Sequence, residues 1–264
     1  MMRALWTASS GMLAQQLNVD TISNNLANVN TTAYKKERAE FKDLLYESIY
    51  RAEVVDGQGR PVNLQVGHGV RPAAIVKNFS KGNMQQTGNP LDLAIDGEGF
   101  FVVRGPNDKL FYTRDGSFKL SIDGEEACIV TSDGYFLQVE GADAELGSNV
   151  KEITVDQNGF LRVRRNDGTL EDIGLIDVVR FPNPAGLESV GHNLYKVTSA
   201  SGEPVEAEEP GMNGQIMQGF LEASNVQVVE EMVKLITAQR AYEINSKSIQ
   251  TADEMLQMAN NLRR

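Results

Sequence analysis

Histidine is the side chain best suited to acid–base chemistry near neutral pH, and this 264-residue sequence holds two, His68 and His192. Each follows a glycine and precedes a glycine or an asparagine, in GHG and GHN, which is typical of a turn. A general base also needs a reacting group within reach, and no nucleophile motif accompanies either histidine. We therefore expect two turn histidines and no catalytic residue.

Motifs for metals, nucleotides and cofactors are missing from the sequence. It contains no Walker-type loop, no HExxH and no GxSxG elbow. Gly97-Glu98-Gly99 lacks the third glycine of a dinucleotide fingerprint, and the DQNG segment at 156–159 lacks the closing glutamate of a calcium loop. A single cysteine, Cys128, excludes a multi-cysteine metal site. The sequence predicts no enzyme, no cofactor and no metal.

Charge is distributed unevenly along the chain. Its 25 Lys and Arg against 36 Asp and Glu give a net charge of −11, and residues 51–225 carry all of it, because 1–50 and 226–264 are each neutral. The same middle holds all eight prolines and every glycine except Gly11. An acidic chain without basic clusters argues against nucleic-acid binding. No apolar run approaches the roughly 18 residues of a membrane span, so we expect no membrane insertion.

The first segment predicts a long helix. Between Met2 and Val29 there is no proline and one glycine, and apolar residues recur every seven positions. Such a heptad seam is typical of a helix that buries a narrow stripe against other helices. The predicted seam residues are Leu5, Met12, Val19 and Leu26, with Ile22 at the companion spacing.

The last segment predicts a second helix, because residues 226–262 contain no glycine or proline. Its seam residues, again seven apart, are Val228, Leu235, Tyr242, Ile249 and Leu256. Some 37 residues would make a rod of roughly 55 Å, longer than the usual globular helix. Two narrow stripes bury little alone, which favours self-assembly through the ends over a helix pair packed only within one monomer. The seam residues are predicted to bury apolar surface within and between subunits.

Polar residues near these helices have two expected roles. Asparagines are expected to end the first helix by bonding its free carbonyls or turn backbone. They are Asn24, Asn25, Asn28 and Asn30. Charged residues are candidates for weak ion pairs between subunits. They are Lys35, Lys36, Glu230 and Glu231.

The middle of the chain predicts antiparallel β-structure. Turn dipeptides recur between short apolar or aromatic runs, and they supply the positive φ angles that tight hairpins require. They are Asp96-Gly97, Asp115-Gly116, Asp123-Gly124, Asp133-Gly134, Asn158-Gly159 and Asp167-Gly168. The period-two stretches 152–155 and 160–164 are typical of half-buried strands.

The predicted fold class is therefore α+β. N- and C-terminal helices form a coiled-coil-like domain, and antiparallel β domains are inserted between them. We expect residues 1–33 with 226–264 to form the helical assembly domain. Residues 34–88 with 197–225 are expected to form a smaller β-rich connecting domain, and residues 89–196 an antiparallel β domain.

The two terminal segments carry a family resemblance. Residues 8–41, ASSGMLAQQLNVDTISNNLANVNTTAYKKERAEF, resemble the N-terminal signature of bacterial flagellar rod and hook proteins. Residues 221–256, LEASNVQVVEEMVKLITAQRAYEINSKSIQTADEML, are similar to their C-terminal signature. Between them, GNPLDLAIDGEGFFVV and YTRDGSFKL resemble the start of the family's β domain. The sequence departs from the family at Ala33-Tyr34, where Gly-Phe is more common, and at SIDGEEACIVTSDGY, which carries extra residues.

The resemblance implies a structural subunit that polymerises into a tube around an axial channel and transmits torque to the hook. Length and the 46–70 segment, which runs into QVGHGVRP at 65–72, favour the distal part of the rod. Implied partners are further copies of itself, proximal rod proteins, the hook protein, ring bushing proteins, the rod cap and the flagellar export apparatus. The implied location is the basal body, spanning the periplasm, after export without a cleavable signal peptide.

Two alternatives remain at the level of sequence. The first is another axial protein of the same family, such as a proximal rod protein or the hook protein, although the hook protein is generally longer. The second is a β binding module, such as an adhesin, displayed on a coiled-coil stalk. A stalk is normally continuous in sequence, whereas here the two helical segments lie at opposite ends of the chain.

Overall fold

The computed structural model describes residues 2–50, 53–55, 58–60, 63–123, 126–147, 150–206 and 214–261. A long helix stands at each end of this part of the chain: α1 spans Met2–Ala27 and α2 spans Val228–Asn261. Strands dominate the residues between them, so the architecture is α+β. The predicted order, with helices first and last around a β-rich middle, is confirmed.

Two compact units share the chain, and each is assembled from separated segments. The helical unit groups the described residues of Met1–Ala27, Glu37–Lys77 and Gln227–Arg264. The β unit groups those of Asn28–Lys36 and Asn78–Val226. Each unit therefore contains both an early and a late segment of the sequence.

In the helical unit, α1 and α2 contact each other, and the described residues of the unit also contain six strands. The strands are β1 (Glu37–Asp43), β2 (Tyr46–Tyr50), β3 (Glu53–Val55), β4 (Gln58–Arg60), β5 (Leu64–Gly67) and β6 (Val70–Lys77). β1 pairs antiparallel with β6, and both contact α1. β2 pairs with β5, and β3 with β4.

The β unit contains the remaining strands and two short 3-10 turns, Pro106–Asp108 and Pro184–Gly186. The strands are β7 (Met84–Gln86), β8 (Leu93–Asp96), β9 (Phe100–Arg104), β10 (Leu110–Thr113), β11 (Lys119–Asp123), β12 (Glu126–Val130), β13 (Phe136–Val139), β14 (Ala142–Asp143), β15 (Val150–Val155), β16 (Phe160–Arg165), β17 (Leu170–Leu175), β18 (Val178–Arg180), β19 (Glu188–Gly191), β20 (Leu194–Lys196), β21 (Val205–Glu206), β22 (Gln215–Gln218) and β23 (Phe220–Glu222). The main sheet has the order β11-β12-β13-β9-β10-β20-β19, and β15-β16-β17 form a second sheet. The neighbouring strands of these two sheets pair antiparallel throughout the orders given.

The apolar run at β9 lies in the middle of the main sheet, between β13 and β10. Phe101 and Val103 belong to one buried cluster, while Phe100 and Val102 belong to another. Because successive side chains of a strand point to opposite faces, β9 is buried on both of its faces. This explains why its sequence is continuously apolar rather than alternating.

Glycine occupies the turn positions for two different physical reasons. Gly134, Gly159 and Gly168 have φ values of 84°, 92° and 80°, as the turn dipeptides predicted. Gly116 instead avoids a clash, since a methyl group there would lie 1.6 Å from the carbonyl oxygen of Leu93. The predicted turn at Gly124 lies outside the described residues.

The predicted three-domain division has boundaries other than those of the two units, and it stays a prediction. The described residues of 37–77 cluster with the helices because β1 and β6 contact α1. The described residues of 197–226 cluster with the main β region, because β22 pairs with β8 and β23 pairs with β7.

Candidate functional site

The buried faces of the two helices carry mainly small and polar side chains. On α2, the buried residues Glu231, Ala238 and Ala252 follow a heptad spacing. On α1, the buried residues are Ala8, Ala14, Thr21, Ile22 and Asn25. Ile22 is the one large apolar side chain among these, so the helical unit uses few of the large apolar residues of α1 and α2.

Gly11 lies at a point of close approach between α1 and α2. A methyl group at Gly11 would lie 2.9 Å from Nδ2 of Asn245. Glycine is unfavourable inside a helix, because it loses more conformational freedom than alanine. A side chain at this position would require the amide group of Asn245 on the neighbouring helix to shift.

Asn25 joins three elements of the helical unit. Its Nδ2 donates to the carbonyl oxygen of Glu37 at 2.8 Å, and the backbone N–H of Glu37 donates to its Oδ1 at 2.8 Å. Nδ2 also donates to Oε2 of Glu231 at 3.2 Å. The side chain is 1% exposed and links α1 to β1 and α2. The sequence predicted a helix-ending role; α1 does end at Ala27, but Asn25 acts as a buried tie between distant segments.

Of the four charged residues expected to pair between subunits, Lys35 and Glu231 are buried in contacts within the chain, and for Lys36 and Glu230 the expectation stays a prediction. Lys234 Nζ lies 2.9 Å from carboxylate oxygens of both Glu230 and Glu231. Burial alone would lower the pKa of Lys234, but hydrogen bonds to the two glutamates outweigh it and raise that pKa. Lys35 Nζ lies 2.7 Å from Oε1 of Glu222 inside the β unit. For Lys35 and Glu231, the expectation of an intersubunit pair is therefore corrected.

The predicted seam residues flank the buried faces rather than fill them. Ile22 is buried, whereas Val228 and Tyr242 are 41% and 42% exposed. The others are partly buried: Leu5, Met12, Val19, Leu26, Leu235, Ile249 and Leu256. Their role in assembly stays a prediction.

Sequence reasoning missed a second apolar surface, which we call the outer stripe of α2. Its exposed members are Val229, Val233, Ile236, Ile244, Met255 and Met258. At about 100° per residue, Val229, Val233, Ile236 and Met258 lie on the side of the helix opposite to Ala238 and Ala252, and Ile244 and Met255 lie at the edge of the stripe. The i, i+4, i+7 spacing of Val229, Val233 and Ile236 is the signal that could have revealed it.

The helix α1 also exposes large apolar side chains. Met2, Trp6 and Leu13 lie on its solvent side, and Trp6 is 73% exposed. Contiguous exposed apolar residues of this kind mark surfaces that bind another protein. The two terminal helices therefore present apolar faces that the helical unit leaves uncovered.

Among the described residues, no group of three or more His, Cys, Asp or Glu side chains is placed to hold a metal ion. His192 lies in the turn between β19 and β20, with a φ of 53°. Among the described helices, none is both long and apolar enough to cross a membrane.

Two terminal helices that expose apolar faces, with a β unit inserted between them in the sequence, are typical of a structural protein, and the comparisons agree with this class. Three family models match along the chain. "Flagella basal body rod protein" matches residues 5–35, "Flagellar hook protein FlgE/F/G D1 domain" matches 94–169, and "Flagellar basal body rod FlgEFG protein C-terminal" matches 217–262.

Similar proteins span the full length of the chain. The flagellar basal-body rod protein FlgG of Borreliella burgdorferi is 49% identical, with 100% of both chains covered. Those of Caulobacter vibrioides and Buchnera aphidicola (subsp. Schizaphis graminum) are 45% and 43% identical, each covering 99% of this chain and 100% of the relative. The chain belongs to the flagellar basal-body rod protein family.

A crystal structure of the flagellar hook protein FlgE2 of Helicobacter pylori is a weaker match. It covers 61% of this chain and 47% of that chain at 13% identity. Its TM-score of 0.24 is too low for the two structures to count as the same fold.

Proposed function

We propose that this chain is the structural subunit of the distal rod of the bacterial flagellar basal body. It polymerises into a tube that transmits torque to the hook and encloses the export channel. The observation that carries the proposal is the outer stripe of α2, where Val229 and Val233 are 76% and 57% exposed. Full-length similarity to basal-body rod proteins supports the same assignment.

The proposed mechanism is burial of the outer stripe and the seam residues against neighbouring subunits. The terminal helices pack with those of adjacent copies in a coiled-coil-like arrangement and complete their folding on assembly. Each buried Å² of apolar surface contributes about 25 cal/mol, and the contacts repeat along the polymer. Neutral ends allow many identical helices to pack without accumulated repulsion.

The assembled subunit has three parts. The inner helical layer consists of residues 1–33 with 226–264, and the outer β domain consists of residues 89–196. A smaller β-rich domain, residues 34–88 with 197–225, connects these two parts. The acidic excess of residues 51–225 then lies on the outside, where like charges repel least.

Location and partners follow from the proposed place in the rod. The subunit spans the periplasm after export without a cleavable signal peptide, and it has no catalytic role. Its neighbours are further copies of itself, proximal rod proteins on one side and the hook protein on the other. Ring bushing proteins surround it, and the rod cap and export apparatus deliver it.

Val233→Glu tests the proposal directly. Burying an uncompensated carboxylate in place of a valine should raise the critical concentration for polymerisation at least about tenfold. Sedimentation and electron microscopy at rising protein concentration measure this threshold. Circular dichroism on the soluble fraction should show a stability close to wild type, because Val233 is exposed in the subunit.

Leu170→Glu is the matched control. Leu170 is 66% exposed on β17 of the β unit, so the same chemical change there should leave polymerisation unaltered. Equal thresholds for Val233→Glu and wild type, or an equal loss in both variants, would contradict assembly through the terminal helices.

A further inference from the structure

Three charged side chains form a buried cluster in the β unit. The exposed fractions of the side chains are 0% for Lys35, 1% for Glu222 and 3% for Arg114. They come from three distant parts of the sequence: the segment after α1, the turn after β10, and the last strand before α2. Charged groups are almost never fully buried unless they are paired, so this cluster needs an explanation.

Glu222 is the centre of the cluster. Its Oε1 accepts hydrogen bonds from Nζ of Lys35 at 2.7 Å and from the backbone N–H of Gly82 at 2.8 Å. Its Oε2 accepts from Nε of Arg114 at 2.9 Å. Lys35 also donates to the carbonyl oxygen of Ser80 at 2.9 Å. One carboxylate therefore holds two cations and a loop in place.

The charge balance of the cluster makes Glu222 essential to it. Burial and the charge of Arg114 lower the pKa of Lys35 to about 8, against the opposing effect of Glu222. Burial alone would raise the pKa of Glu222, but the charges of Arg114 and Lys35 hold it below its ordinary value. Near neutral pH the cluster thus holds two cations and one anion. Removing the anion would leave Arg114 unpaired and would force Lys35 either to stay charged without a partner or to lose its proton, and both are unfavourable.

Backbone contacts join the same two ends of the β unit. The N–H of Ala33 donates to the carbonyl oxygen of Glu222 at 2.7 Å. The N–H of Lys36 donates to Oδ1 of Asn225 at 2.8 Å, and Nδ2 of Asn225 donates to the carbonyl oxygen of Asn78 at 2.8 Å. The segments 28–36 and 220–226, which we call the junctions, are therefore bonded to each other as well as to the strands.

We propose that Lys35, Glu222 and Arg114 act as an ionic clasp that keeps both junctions folded on the β unit in the free subunit. Order in the free subunit then extends to the junctions, whatever the state of the terminal helices. Polymerisation then has to order only the terminal helices. This consequence for polymerisation rests on the proposed function, whereas the clasp itself does not.

Hydrogen exchange of the full chain tests the clasp at neutral pH and at a dilution where sedimentation shows a monomer. Amides of 33–36 and 221–225 should be protected in the wild type. Glu222→Gln should exchange there at least about tenfold faster, because two cations lose their counter-charge. Glu188→Gln, on an exposed strand of the same unit, is the control and should match the wild type.

A second variant keeps the test decisive if Glu222→Gln unfolds the whole β unit. Adding Lys35→Met to Glu222→Gln removes one stranded cation and should restore much of the lost protection. Unprotected junctions in the wild-type monomer, unchanged exchange in Glu222→Gln, or a double variant no better than the single would each overturn the clasp. None of these outcomes depends on whether the chain polymerises, so failure of the proposed function is seen separately.

Discussion

Ala33 has a backbone conformation that is unfavourable for a residue with a side chain. Its φ is 55°, in the left-handed region that glycine adopts freely, and it is 2% exposed. The conformation costs a residue with a side chain about 1–2 kcal/mol. The sequence departs from the family here, where Gly-Phe is more common than Ala33-Tyr34. The positive φ is the physical reason why glycine suits this position.

Ala33→Gly should therefore leave the free energy of unfolding unchanged or raise it. Relief of about 1–2 kcal/mol of backbone strain offsets the lost methyl group and the added freedom of the unfolded chain. Ala144→Gly is the matched control, because Ala144 is 1% exposed and is not among the described residues with a positive φ. That change should lower the free energy by about 1–2 kcal/mol.

Urea unfolding, followed through the β signal in circular dichroism, measures both changes. Equal losses of stability in Ala33→Gly and Ala144→Gly would show that the Ala33 backbone stores no strain.

Elements with a strong local pattern could be predicted from the sequence. The two period-two stretches form β15 and β16 in the structure. The proline-free segment that starts at Met2 forms α1. Long-range polar ties could not be predicted. Asn25 bonds a residue 206 positions away and Glu222 one 187 positions away, and no local period encodes such contacts.

The second apolar stripe of α2 was also missed by the sequence pattern. Two stripes run along α2, and the heptad spacing identified only the seam through Val228, Leu235 and Leu256. In the structure, Ala238 and Ala252 are buried while Val229 and Val233 are exposed. Small side chains let the two helices of one chain approach closely, which leaves the larger ones available for other copies.

Ala238→Leu tests the role of small residues between the helices. Ala238 is 3% exposed, so a leucine would overpack the buried face and lower the stability of the helical unit by about 1–3 kcal/mol. Ala259→Leu, at an exposed position of the same helix, should change it by less than about 0.5 kcal/mol. The helical signal in thermal unfolding of the assembled polymer distinguishes the two variants, and equal melting would contradict a close-packed contact.

At the scale of the whole molecule, charge and apolar surface are separated along the chain. The net charge of −11 belongs to residues 51–225, while both ends are neutral. The exposed apolar stripes lie on the terminal helices, which carry no net charge with their neighbouring residues. A subunit built this way can pack its ends densely and keep its acidic part in solvent.

Cryo-electron microscopy of the assembled polymer is the most direct test of this account. We predict that the outer stripe of α2 and Trp6 of α1 are buried against neighbouring subunits around an axial channel. Residues 51–225 are predicted to face outward. A polymer in which Val229 and Val233 stay exposed to solvent, or in which the acidic middle lines the channel, would contradict it.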